Sequence, residues 1–357
     1  MAAVFAMQGF GILFAATIAI IFLVIFKNLV NEDINNLDHV WRLCIAFGII
    51  PCLAAIYFRL TIPETPRYTM QVKNNIDKGV NDVDFIKTGK KARYVQTQTQ
   101  EESTTPKASF KDFRKHFRQW KNLKILLGTS ICWFALDVGF YGINLNTGII
   151  IDAIGYAGSI KNDSAWDVLY KNAVGNIIIA LMGTVPGYWV TVALIEVLGR
   201  KKIQIIGFVF LGAILLVLGV AYEKIKDTST ILFIALFTLM QFFQNFGPNA
   251  TTFIIPGEVF PTRYRSTAHG ISAAMGKLGA IISQAGLFQI KDIGGKNAQI
   301  PLLLIIFSVF MLIGLIFTFL LPETKGKSLE ELSNDENSIE FSRKEKSFAI
   351  ENDTFKF

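Results

Sequence analysis

Eight apolar stretches, at about 2–26, 40–62, 123–151, 169–198, 203–222, 230–257, 268–290 and 300–321, dominate this 357-residue chain. Each is long enough for a helix to cross the roughly 30 Å hydrocarbon core of a bilayer. Backbone groups in lipid must bond within the protein, so stretches of this length close their hydrogen bonds as helices. Few soluble helices are apolar all round, and eight of them in one chain predict an all-α membrane bundle. The first stretch lacks a basic leader and is too long for the core of a cleavable signal, so it reads as a span.

The chain is 52% hydrophobic with 31 Phe, yet its mean hydropathy is only moderately positive. A polar central linker and a polar tail reconcile the two. The linker, 67–122, is basic, with 14 Lys/Arg against six Asp/Glu between Arg67 and Lys124 and Gln-Thr repeats at 96–100, and is expected to be partly disordered. This divides the chain into a two-span block at 1–66, the linker, a six-span block at 123–323 and a tail at 324–357.

The net charge of +7 could suggest nucleic acid, but its distribution points to a bilayer. Arg200-Lys201-Lys202, Arg263 and Arg265 fall on the linker's side. The alternate connections carry Lys27, Lys161, Lys224, Lys226, Lys291 and Lys296. The positive-inside rule therefore places linker and tail in the cytosol. Cys44, Cys52 and Cys132 all fall inside spans and read as buried small hydrophobes. His39 and His116 lie at polar edges and His269 opens a helix. No metal-ligand spacing, nucleophile–base motif or cofactor motif appears, so neither an enzyme nor a cofactor is expected.

Within the third stretch, Trp133, Asp137 and Tyr141 recur at i, i+4 and i+8. One helical stripe about 12 Å long thus presents an indole, a carboxylate and a phenol. An ionisable group inside a span marks a functional site and requires a partner. Lys277, about ten residues into its span, is too deep for easy snorkelling and is the candidate partner, expected to be buried at mid-span. In Phe246-Gly247-Pro248-Asn249 the proline is expected to kink a helix, and broken helices in transporters mark substrate sites.

Two short sequences echo each other: Pro63-Glu64-Thr65-Pro66-Arg67 before the linker and Pro322-Glu323-Thr324-Lys325-Gly326 after the last span. Equivalent positions of two repeats explain the echo, and by symmetry four further spans are expected upstream of the first. Glu196-x-x-Gly199-Arg200-Lys201-Lys202 forms a tight basic turn. Glu258 and Arg265, close in sequence, are expected to pair. Glu196, Arg200, Glu258 and Arg265 read as gating or packing salt bridges. Asn162-Asp163-Ser164 is a glycosylation acceptor on the outer side.

Three motifs carry a resemblance: Gly128-Thr129 with Trp133-Phe134-x-x-Asp137-x-x-Phe140-Tyr141-Gly142, Gln241 to Asn249, and Arg263 to Gly270. They resemble the fungal proton-coupled inorganic phosphate permeases of the major facilitator superfamily, from residue 1 to about 332. The resemblance implies a truncated major facilitator bundle whose eight spans match the family's fifth to twelfth. It implies symport of inorganic phosphate with protons across the plasma membrane, and a substrate site at Gln8, Trp133, Asp137, Tyr141, Asn249 and Lys277. The family's acidic proton residues on its first and fourth spans, and its Gly-Asp-Tyr-Pro signature, have no match here. Transport of a glycerophosphodiester or glycerophosphoinositol, or a non-transporting remnant or sensor, are the competing readings.

Overall fold

The computed structural model describes residues 1–62, 64–71, 75–88, 109–153, 156, 164–327 and 329–333. Among these residues every regular element is helical, and eight helices are long and apolar enough to cross a membrane. They are α1 (Ala2–Ile25), α2 (Ile34–Thr61), α3 (Trp120–Asn144), α4 (Ala165–Leu198), α5 (Arg200–Val220), α6 (Thr230–Val259), α7 (Thr262–Asp292) and α8 (Ile300–Thr318).

Several boundaries differ from the hydropathy pattern, each for a local reason. The stretch read as 123–151 stops at Asn144, and a separate short helix covers Thr147–Ala153. Asn144 and Asn146 turn their amides back onto the carbonyls of Phe140 and Gly142, at 2.8 and 2.9 Å, and this competes with helix continuation. Helix α7 begins at Thr262, so His269 stands two turns inside it rather than opening it. The polar Thr262–Ser266 turn hid that start from hydropathy. The linker carries helices at Pro66–Gln71, Ile76–Thr88 and Phe110–Phe117, and residues 89–108 lie outside the described residues.

Helices α3, α5, α6 and α8 interlock around one core that includes Leu136, Ile143, Leu215, Phe307 and Met311. Between apolar helices in lipid, small residues and polar pairs supply the specificity. Thr129 and Ser272 hydroxyls meet at 2.9 Å between α3 and α7, and Gln204 donates to Thr318 at 2.8 Å between α5 and α8. On α4 a π-turn at Ala180–Thr184 is followed by Gly187. A Cβ at Gly183 or Gly187 would stand 2.5 Å from the Thr238 or Phe242 carbonyl, so these glycines let α4 lie against the backbone of α6.

Helices α1 and α2 are peripheral. The apolar window of α2 is 0% buried and that of α1 is 11% buried. Trp166 of α4 donates its indole N–H to the Leu23 carbonyl at 2.6 Å, satisfying an acceptor in the last turn of α1. Of the three cysteines only Cys132 is buried; Cys44 is half-buried and Cys52 is exposed, because α2 has few neighbours.

Candidate functional site

The site begins where α7 crosses α3. Gly276 and Gly279 carry no side chain, and a Cβ at Gly279 would lie 2.5 Å from the Phe134 carbonyl. A Cβ at Gly276 would lie 2.5 Å from Trp133 Cδ1 and 2.7 Å from Asp137 Oδ2. This close approach sets Lys277 beside the Trp133–Asp137–Tyr141 stripe.

Lys277 Nζ donates to the Tyr141 hydroxyl at 2.5 Å and to Asp137 Oδ2 at 3.4 Å. Its ammonium also stands 4.4 Å from the Tyr141 ring centroid, within cation–π range. The ion pair is long beside the 2.7–2.9 Å usual for such bonds, so the lysine is held more closely by the phenol than by the acid. The two charges are also unequally placed: the Asp137 side chain is 4% exposed and that of Lys277 is 59% exposed. The lysine is therefore not buried at mid-span as its depth suggested. With glycines on the facing edge of α7, its side chain emerges at the margin of the α3–α7 contact.

Trp133 caps this group on the side toward the start of α7. Its ring meets His269 at 5.5 Å and Phe253 at 6.2 Å, both edge to face. The π-turn at Ile282–Gly286 lies one turn beyond Lys277. There Gln284 accepts from Asn146 at 3.2 Å and donates to the Tyr141 carbonyl at 2.8 Å, fixing the far end of the stripe.

Asn249 belongs to a second group. Helix α6 is broken at Phe246–Gly247 rather than kinked, and restarts with Pro248 in its first turn, where a missing N–H costs nothing. A Cβ on Gly247 would fall 2.6 Å from the Gly207 Cα, so the break lies directly on α5. The Asn249 amide donates to the Tyr188 hydroxyl at 2.5 Å and to Asn245 Oδ1 at 2.8 Å. Gln241 then donates to Asn144 at 2.9 Å, and Asn144 to Gln244 at 3.2 Å. Asn245 donates to the Gln241 carbonyl at 2.8 Å, so a ladder of neutral amides, buried except at Asn144, runs from Asn249 to the end of α3.

The fold therefore unites Asp137, Tyr141 and Lys277, sets Trp133 against them, and joins Asn249 to Tyr188. Phe253, one turn after Asn249, touches Trp133 and links the two groups. Gln8 is not brought in. It is exposed beside the buried face of α1 formed by Ala6 and Gly9, and its side chain makes no hydrogen bond among the described residues. Sequence reasoning missed Tyr188, whose one signal is a phenol within an apolar span next to Gly187.

The charged turn forms a separate cluster at the start of α5. Arg200 grips Glu196 at 2.7 Å and Glu258 at 3.0 Å. The expected Glu258–Arg265 pair does not form. The Glu258 carboxylate receives Arg200 and the Thr324 hydroxyl (2.5 Å), while Arg265 Nε donates to the Phe260 carbonyl at 3.0 Å. Glu323 accepts the Arg200 and Lys201 backbone N–H groups at 2.9 and 3.1 Å, capping α5. Asn162 lies outside the described residues.

A buried carboxylate, an open ammonium, two phenols and an amide suit an anion that still carries acidic hydrogens. The ammonium offsets its charge, phenol and amide donate, and a carboxylate can accept from a protonated oxygen.

A family model described as "Sugar (and other) transporter" matches residues 3–335. The chain is 45% identical to the "Repressible high-affinity phosphate permease" of Neurospora crassa, over 94% of this chain and 62% of that protein. It is also 45% identical to the "Inorganic phosphate transporter PHO84" of Saccharomyces cerevisiae, over 93% of this chain and 61% of that protein. The rice "Inorganic phosphate transporter 1-11" is 38% identical over 94% of this chain and 62% of its own length. The chain thus spans about three-fifths of these relatives. Among solved structures, the proton:xylose symporter XylE superposes with a TM-score of 0.60 at 20% identity, covering 90% of this chain and 66% of XylE. The fold is that of the major facilitator superfamily, in a multi-pass membrane protein.

Proposed function

This chain belongs to the sugar (and other) transporter family, and we propose that it serves the transport of inorganic phosphate, in symport with protons. The observation that carries this reading is the triad of Asp137, Tyr141 and Lys277. A sugar offers no charge for an ammonium to offset, whereas phosphate does. The relatives, a phosphate permease and an inorganic phosphate transporter, support the same substrate.

In this proposal phosphate enters at the exposed Lys277 and exchanges its long contact with Asp137 for contacts of its own. Lys277 supplies charge and Tyr141 turns its hydroxyl hydrogen to a phosphate oxygen. Asp137 accepts a P–OH hydrogen. Sulfate lacks that hydrogen, and a buried acceptor left unpaired rejects an isostere strongly. Trp133 covers the site on the side toward the start of α7, and Asn249 and Tyr188 serve the opposite side of the anion. Gln8 remains a proposed contact through α1. Glu196, Arg200, Glu258 and Arg265 serve as gating or packing charges. The plasma membrane is the proposed location, with linker and tail cytosolic, as the Lys/Arg distribution supports.

The open side of Lys277 favours one second reading, in which an esterified phosphate such as a glycerophosphodiester occupies the site. Both readings are tested by titrating the purified chain in lipid nanodiscs with phosphate, sulfate and glycerophosphoinositol. Phosphate is expected to bind at least ten times more tightly than the other two. Tighter binding of the ester would favour the second reading, and equal binding of sulfate would remove the proposed role of Asp137. Uptake of labelled phosphate into vesicles under an imposed proton gradient tests transport itself, and its absence would leave binding without carriage.

A further inference from the structure

The helix at Phe110–Phe117 is two-faced, and among the described residues only one face has a partner. Phe113 meets Tyr264 at the start of α7 edge to face at 5.6 Å and Phe117 meets it tilted at 6.2 Å, and Phe117 also meets Phe260 at 5.9 Å. On the same side Asp112 pairs with Arg263 at 3.3 Å and receives the Tyr264 hydroxyl. The acid of this helix is thus consumed by docking. Lys111, Arg114, Lys115 and Arg118 lie at i, i+3, i+4 and i+7, which is one stripe of a helix, and all four are exposed.

Position decides what such a stripe meets. The helix ends three residues before Trp120, where α3 begins its crossing, and it is fastened at the level where α7 begins. It therefore lies at the membrane surface and not out in solvent. Phe110, 82% exposed, and Trp120, 65% exposed, bracket the basic stripe, and aromatic rings of this kind settle at headgroup level. A basic stripe flanked by aromatics and joined directly to a span complements an anionic leaflet.

We propose that Lys111, Arg114, Lys115 and Arg118 form a binding surface for anionic lipid headgroups, which holds the linker's end and the start of α7 at the membrane face. The cytosolic assignment of this helix rests on the sidedness proposed above. The test does not, because nanodiscs present the same lipid on both faces.

Amide hydrogen exchange of residues 111–118 is compared in the full chain in discs of phosphatidylcholine alone and with 30% phosphatidylserine. The acidic lipid is expected to slow exchange at least ten-fold. Raising salt to 0.5 M should reverse this, since the Debye length falls to a few ångströms. The variant K111Q/R114Q/K115Q/R118Q should lose the effect, while K224Q/K226Q should keep it. All four residues are exposed, so equal melting temperatures are expected for variant and parent. Identical exchange in the two disc types would overturn the proposal. So would slowing by inositol hexakisphosphate in phosphatidylcholine discs without any by phosphatidylserine, which would assign the stripe to a soluble polyanion. Protease access to the linker in sealed vesicles reads sidedness separately.

Discussion

The Asp137 carboxylate and the Lys277 ammonium stand 3.4 Å apart, one almost fully buried and the other open. The asymmetry has a sign. Removing the open lysine strands a charge inside the bundle, whereas removing the buried acid leaves a lysine that the helices do not enclose and that keeps the Tyr141 hydroxyl. Lys277→Gln should therefore destabilise the chain by about 2 kcal/mol and Asp137→Asn by less than about 1 kcal/mol. Thermal melts in one detergent check the order, and the reverse order would mean that the pair is buried as a unit.

For binding, both variants should weaken phosphate at least ten-fold, which is about 1.4 kcal/mol. The double variant should lose less than the sum, because either change alone breaks the same pair. Strict additivity in nanodisc titrations would show that the two residues act independently on the anion.

Gly276 and Gly270 lie on the same helix in opposite surroundings. A Cβ at 276 meets Trp133 and Asp137, while one at 270 meets nothing within 4 Å. Gly276→Ala should cost about 1–3 kcal/mol by overpacking and should weaken phosphate binding with it. Gly270→Ala should be neutral or stabilising by up to about 1 kcal/mol, since alanine is the better helix former. Equal melting temperatures for the two variants would contradict the close crossing of α3 and α7.

Gly199 turns with a φ of 90°, and a Cβ there would stand 2.6 Å from the Glu323 carboxylate. Gly199→Ala meets left-handed strain of about 1–2 kcal/mol and also displaces the cap. Glu323→Ala removes the acceptor of two N–H groups at about 1–2 kcal/mol. Once Gly199→Ala has displaced the cap, adding Glu323→Ala should lower the melting temperature little further. A full additional loss would show that the carboxylate does not cap α5.

Tyr188→Phe deletes one acceptor from Asn249 and leaves the bond to Asn245. The expected cost is about 1 kcal/mol in stability, with weaker phosphate binding as Asn249 loses its orientation. Unchanged affinity in the titration would separate Tyr188 from the site.

The eight spans, their helical nature and the carboxylate at Asp137 are legible from the amino-acid order alone. Hydropathy and helical periodicity are local properties, and Asp137 within Leu123–Ile151 is costly whatever surrounds it. Lys277 was legible as its partner by depth, and the family by motifs in order. That Lys277 is open, that Glu258 takes Arg200 and that Tyr188 receives Asn249 follows from the packing of the helices. The same packing brings Glu323 to cap α5 from 122 residues away. These depend on which helix faces meet. That is set by where glycines let backbones touch, Gly279 on Phe134 and Gly247 on Gly207. The spacing of a single helix carries no record of its neighbour.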